Sequence, residues 1–161
     1  MMIVAFISIL FVLLFSVIGI AASVLSIIGK WKVFEKASKP GWASIVPYYN
    51  TYVTYQLGDF PPLLCLLSAG TGIMSFIIGM INSIAEILNL NIEIVSIICI
   101  LLYGIVGLMS TAALIVDIMA NINIAKKFNK SPAYGVGLSL LPFVFYMMLA
   151  YDKNAVYVEQ K

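Results

Sequence analysis

Residues 2–28 read MIVAFISILFVLLFSVIGIAASVLSII, a stretch without one charged side chain. As a helix it spans about 40 Å, more than the ~30 Å of hydrocarbon in a bilayer. Its first flanking charges come after it, at Lys30 and Lys32. A cleaved signal peptide has a shorter apolar run and carries its basic residues ahead of it. The run therefore reads as a transmembrane helix that stays, with its N-terminus outside. The rest of the chain agrees. Of 161 residues, 63% are hydrophobic and 10% charged, where a soluble domain carries about 25% charged residues. A water-soluble fold of this size cannot hide so much apolar side chain, so the lipid bilayer is the expected partner.

Outward from this run, residues 30–60 form a mixed, interfacial segment. A second apolar run covers 61–81, and a polar break at 82–93 holds Glu86 and Glu93 but no lysine. A third run covers 94–118, its helix extending to 128. A fourth covers 133–150, and 151–161 is a polar tail. The expected fold is an all-α membrane protein with four transmembrane helices and one short interfacial or re-entrant amphipathic helix at about 41–56, forming a single polytopic domain. Lys30, Lys32, Lys36 and Lys39 mark one loop and Lys126, Lys127 and Lys130 another. Lysine-rich short loops stay cytoplasmic. Both loops are then inside, with both termini outside, although Lys153 and Lys161 argue mildly against an outside tail.

The segment Lys39–Asn50, KPGWASIVPYYN, invites two readings. A helix over 42–56 is about 22 Å long, too short to cross. It either seals the inner surface as an amphipathic helix or re-enters the membrane, with Tyr48, Asn50, Thr51 and Tyr52 lining a polar cavity. Pro47 breaks or bends it. Asp117 and Asn121 share one helix face near the same boundary and complete the candidate polar site. An acid beside a span is a functional suspect, against the plainer reading of a wet interfacial carboxylate. Trp31, Trp42, Tyr49, Lys39, Lys126 and Lys127 are expected to anchor the membrane interface as an aromatic and basic belt. Gly19, Ala22, Ser23 and Ser26 line one face of the first helix, a packing surface within the bundle or between copies. Pro142 bends the fourth run.

Several chemistries find no support. All nine basic residues are lysine, and there is no histidine. Arginine forks for nucleic acid are missing, as is the commonest metal ligand and general base. Cys65 and Cys99 read as buried, inert thiols. No lysine is expected deep enough to activate a serine, and no phosphate-cradling loop occurs. No metal, cofactor or enzymatic activity is expected.

Two blocks carry a resemblance. Phe34-Glu35-Lys36-Ala37-Ser38-Lys39-Pro40-Gly41-Trp42 precedes Pro47-Tyr48-Tyr49-Asn50-Thr51-Tyr52. Ile122-Asn123-Ile124-Ala125-Lys126-Lys127-Phe128-Asn129-Lys130-Ser131 precedes Gly135, Gly137 and Leu141-Pro142-Phe143. Together they resemble a family of small bacterial integral membrane domains of unknown function, some fused to or encoded with type I signal peptidases. Its blocks read F-E-K-A-G-K-P-G-W and, roughly, I-x-x-A-K-x-F-G-K-S, so Asn129 stands where glycine is usual. The resemblance implies a multi-pass protein of the bacterial cytoplasmic membrane and brings no activity with it. The two blocks also echo each other, as an internal duplication would, with unequal spacings. Two functions are expected. The first is a non-catalytic module that docks a membrane-protein partner or another copy, or stabilises a membrane complex. The alternative is a small oligomeric transporter or channel with a polar site near the cytoplasmic face.

Overall fold

α1 (Met2–Lys36) continues past the expected end at Ile28, and Lys30, Lys32 and Lys36 on it meet groups of other elements. The computed structural model describes residues 2–88 and 92–158. Among these every regular element is helical and there is no strand. After α1 come a tight turn at Gly41–Ser44, α2 (Tyr49–Leu57), a second tight turn at Pro62–Leu64, α3 (Cys65–Ile87), α4 (Ile92–Lys127), α5 (Pro132–Leu140) and α6 (Pro142–Tyr151). Three stretches, Phe6–Lys36, Pro62–Ile87 and Glu93–Lys127, are long and apolar enough to cross a membrane. The middle of the expected polar break, 89–91, lies outside the described residues, as does Lys161.

The run at 133–150, expected to cross as one helix, is instead two short helices folded back on each other. The Tyr134 hydroxyl donates to the Phe145 carbonyl at 3.0 Å, and the two rings meet edge to face at 5.1 Å. In a continuous helix residues eleven apart are separated by about 16 Å. Pro142 has no N–H to give and pushes Leu141 out of the helical region. Leu141 sits at φ −131°, ψ 62°, and Gly137 lets the Phe145 ring lie against its backbone.

The tail accordingly returns to the lysine-bearing end, which corrects the expectation that it lies opposite. Lys130 pairs with Asp152, and the Val158 amide donates to the Lys127 carbonyl at 2.9 Å. Lys36 donates to the carbonyls of Leu149 and Asp152 at 2.9 and 2.7 Å. It thus caps the end of α6, where unpaired carbonyls favour a cation.

The bond from Lys130 holds the Asp152 carboxyl below its ordinary range, helped by the Asn154 amide. A depressed carboxyl pKa contributes stability that is present above the ordinary value, about 3.9, and is lost as pH falls through the folded one. The tail is expected to loosen in acid, seen as lost hydrogen-exchange protection at the Val158 amide between pH 6 and pH 3. In Asp152→Asn protection should already be low at pH 6 and change little with acid. A wild-type tail equally protected at both pH values contradicts this.

The segment expected as one helix over 41–56 is also a fold-back. The turn at Gly41–Ser44 and α2 are joined through Pro47 and Tyr48, which sits at φ 62°. α1 and α4 lead into these two hairpins in the same manner. The Lys39 amide reaches the Phe34 carbonyl (2.8 Å) and the Ser38 amide that of Glu35 (3.0 Å); Lys130 and Asn129 reach Ala125 (2.8 Å) and Lys126 (2.9 Å) alike. Ser38 and Asn129 both take φ 56°, the left-handed residue that closes a Schellman motif. Each cap is followed by a proline, at 40 and 132, and each hairpin turns near another, at 47 and 142. The echo between the two sequence blocks thus has a structural counterpart. It is a long helix, a left-handed cap and a proline-turned hairpin, met twice and running in the same direction.

These parts assemble into a cap over one end of the three long helices. Val33, Phe34, Val53, Leu57, Ile124, Phe128, Leu138 and Leu149 form its dry core, each at most 2% exposed. Below the cap, α3 and α4 pack through Ile78, Cys99 and Val106. α1 packs chiefly on α6 and the Gly41–Ser44 turn, and all its residues from 6 to 21 are exposed.

Candidate functional site

Where the cap meets the long helices, polar side chains turn inward. Asn121, one turn after Asp117 on α4, is 2% exposed. Its Nδ2 donates to the Asp117 carbonyl (2.9 Å), to Asp117 Oδ2 (3.0 Å) and to Ser139 Oγ of α5 (2.9 Å). Its Oδ1 accepts from the Tyr146 hydroxyl of α6 at 2.6 Å, which fixes the amide's orientation. Over the face of the Tyr146 ring, 5.2 Å from its centroid, lies the Lys30 ammonium of α1. Lys30 donates to Asn50 Oδ1 of α2 at 3.0 Å. Asn50 in turn donates to the Ser44 carbonyl (3.4 Å) and accepts from Thr54 through its own carbonyl (2.8 Å). The Ser44 hydroxyl beside it is buried and has no hydrogen-bond partner among the described residues. A polar seam thus joins α1, α2, α4, α5 and α6.

Asp117 also faces a cavity of about 300 Å³ between α2, α3 and α4, lined by Thr51, Tyr55, Ser68, Thr71, Ser110, Ala113 and Leu114. The Ser68 hydroxyl donates to the Cys65 carbonyl and that of Thr71 to the Ser68 carbonyl, both at 2.8 Å. Their protons are engaged, so their lone pairs are what they offer the cavity.

Of the expected polar site, the fold brings Asp117 and Asn121 into contact and puts Asn50 in the same seam through Lys30. Tyr48 and Tyr52 stand elsewhere. The Tyr48 hydroxyl lies against Gly72 of α3, and Tyr52 stacks on Tyr49 at 5.7 Å. Lys30, Lys32 and Lys36, expected in a loop, belong to α1, while Lys126 and Lys127 lie on the expected extension of α4. Lys127 is not a headgroup anchor. It is 3% exposed and bonded to Asp59 at 2.6 Å. Among the other anchors, Trp42 is half exposed and stacks on Tyr49 at 5.3 Å. Trp31 donates to Glu35 at 2.6 Å and lies over Gly41. Lys126 is exposed and Lys39 half-buried. On the small-residue face, Ala22, Ser23 and Ser26 border a cavity beside Pro142 and Phe143, while a Cβ added at Gly19 would meet nothing within 4 Å.

Thr51, expected to line a polar cavity, does so, whereas Lys30, Tyr146, Ser139 and the other cavity hydroxyls escaped the sequence reading. One signal for the last was present: Ser110, Leu114 and Asp117 fall at i, i+4 and i+7, one face of α4. No metal-holding cluster of three or more His, Cys, Asp or Glu occurs among the described residues.

No curated protein matches the chain, and no solved structure does. Residues 42–160 match the model of a family of unknown function, DUF5684. That match takes in α2 to α6 with both hairpins and leaves α1 outside it. The chain belongs to this family, DUF5684.

Proposed function

We propose that the protein is a non-catalytic module of the bacterial cytoplasmic membrane, crossing it three times and docking a membrane-embedded partner through its outer helix faces. The clustered lysines favour placing the cap and tail on the cytoplasmic side. The observation that carries the docking reading is the outer stretch of α1, where every residue from 6 to 21 is exposed. α3 repeats the theme with Ser75, Gly79 and Ser83 around an open cavity of about 500 Å³. Small residues four apart are where membrane helices approach closely. A type I signal peptidase is the first partner to test, given the resemblance of the two sequence blocks.

A Cβ added at Gly19 or Gly79 meets nothing within 4 Å. Gly19→Ile and Gly79→Ile are therefore expected to leave the purified protein's melting temperature within about 2 °C of the parent, in line with ordinary surface substitutions. The same changes should abolish photo-crosslinking to the partner, or to a second copy, in native membranes. Unchanged crosslinking in both variants overturns the docking reading.

The second reading, a small transporter or channel, is favoured by the Asp117 cavity. Flux into liposomes that disappears in Asp117→Asn supports it; flux indifferent to that change, or none, rejects it.

A further inference from the structure

We infer that the cavity between α2, α3 and α4 is a binding site for one monovalent cation, an alkali metal ion with part of its water shell or a small protonated amine. This names the ligand of the transport reading's site, but it requires binding only, not passage.

The argument starts from the balance of donors and acceptors. The lining offers the Asp117 carboxylate and the hydroxyls of Thr51, Tyr55, Ser68, Thr71 and Ser110, and no lysine reaches it. Ser68 and Thr71 have given their protons to backbone carbonyls, so they act there as acceptors. The hydroxyls of Thr51, Tyr55 and Ser110 can turn their lone pairs inward as well, and a wall of carboxylate and hydroxyl oxygens without a cationic side chain suits a hard cation or an ammonium group.

The charge count points the same way. The ion pairs among the described residues are Lys127–Asp59 and Lys130–Asp152, and Asp117 has none. Asn121 serves its Oδ2, and Oδ1 accepts no hydrogen bond among the described residues. The Lys30 ammonium is held by Asn50 and the Tyr146 ring, beyond Asn121. Asp117 lies ten residues before the end of α4, about 15 Å along the helix. A half-buried carboxylate on a span, without an ion pair, is a natural counter-ion for one bound positive charge. A single carboxylate is too little for a divalent ion, which draws on several anionic oxygens. The cavity's volume exceeds that of a bare ion, since one water takes about 30 Å³, which leaves room for retained waters or an amine's carbon frame.

The test is equilibrium binding of ²²Na⁺ and of ¹⁴C-methylammonium to the purified full chain in detergent, with bulky N-methylglucamine as the balancing cation. One saturable site is expected for at least one probe. Sodium alone identifies an alkali-ion site, methylammonium alone an amine site, and mutual competition a site for both; each supports the inference. Asp117→Asn should weaken binding at least about tenfold while the protein stays monodisperse and helical. Thr71→Val, which keeps the shape and removes an acceptor, should weaken it several-fold and decides the matter if Asp117→Asn does not fold. No saturable binding of either probe overturns the inference, as does binding that survives the decisive substitution. Binding without liposome flux leaves this inference standing and removes the transport reading. Asp117-dependent flux of another solute, with neither cation bound, does the reverse.

Discussion

Gly135→Ala is expected to lower the protein's stability by about 3 kcal/mol or more, the upper range for overpacking, or about 6–12 °C in melting temperature for a chain of this length. A Cβ at Gly135 would lie 2.3 Å from Ile122 Cα, 2.7 Å from Ile122 N and 2.8 Å from the Asn121 carbonyl oxygen. All three are backbone atoms of α4, so no side chain can swing aside to relieve the contact. α5 must move outward as a body, which stretches the Asn121–Ser139 bond and uncovers Leu138, now 1% exposed. Gly104→Ala is the control. Nothing lies within 4 Å of its added Cβ, and alanine in a helix gains about 0.5–1 kcal/mol over glycine. Thermal melts in detergent, followed by the fluorescence of Trp31 and Trp42, measure both. Equal melting temperatures for the two variants contradict the α4–α5 contact.

The second large effect belongs to Asn121→Leu, expected to cost about 3–4 kcal/mol. The substitution leaves the Tyr146 hydroxyl, the Ser139 hydroxyl and the Asp117 carboxylate without the group that joins them. Each stranded buried polar group costs about 1–3 kcal/mol. Tyr146→Phe alone should cost about 1–2 kcal/mol, because it strands only Asn121 Oδ1. Much of the first penalty is the orphaned phenol, so Asn121→Leu with Tyr146→Phe should cost at least about 1 kcal/mol less than the two separately. Simple additivity in that double-mutant cycle refutes a shared network.

The sequence was legible where a property is local. The charge-free run 2–28 announces α1, the break at 82–93 contains the end of α3 and the start of α4, and Pro47 and Pro142 mark the two places where the chain folds back. Hydropathy misled at 133–150 because it measures how greasy a run is, not whether it doubles over. Two nine- or ten-residue helices joined at Leu141 have the composition of one crossing helix. The site was half legible for a similar reason. Asp117 and Asn121 are one turn apart and could be paired by spacing. Lys30 meets Asn50 twenty residues on, and Tyr146 meets Asn121 twenty-five residues back, so only the tertiary fold joins them. Lys127 has the look of a surface lysine in the sequence; its burial follows from Asp59, which a second helix end presents to it.

Three helices here end on a polar residue twisted into the left-handed region: Ser38, Asp59 and Asn129. A side chain in that conformation strains the backbone by about 1 kcal/mol or more, and glycine does not. A glycine at Ser38 or Asn129 would relieve that strain while keeping the cap. At Asp59 the trade has a visible return, since the tensed residue is also the counter-ion of a lysine sunk in the cap.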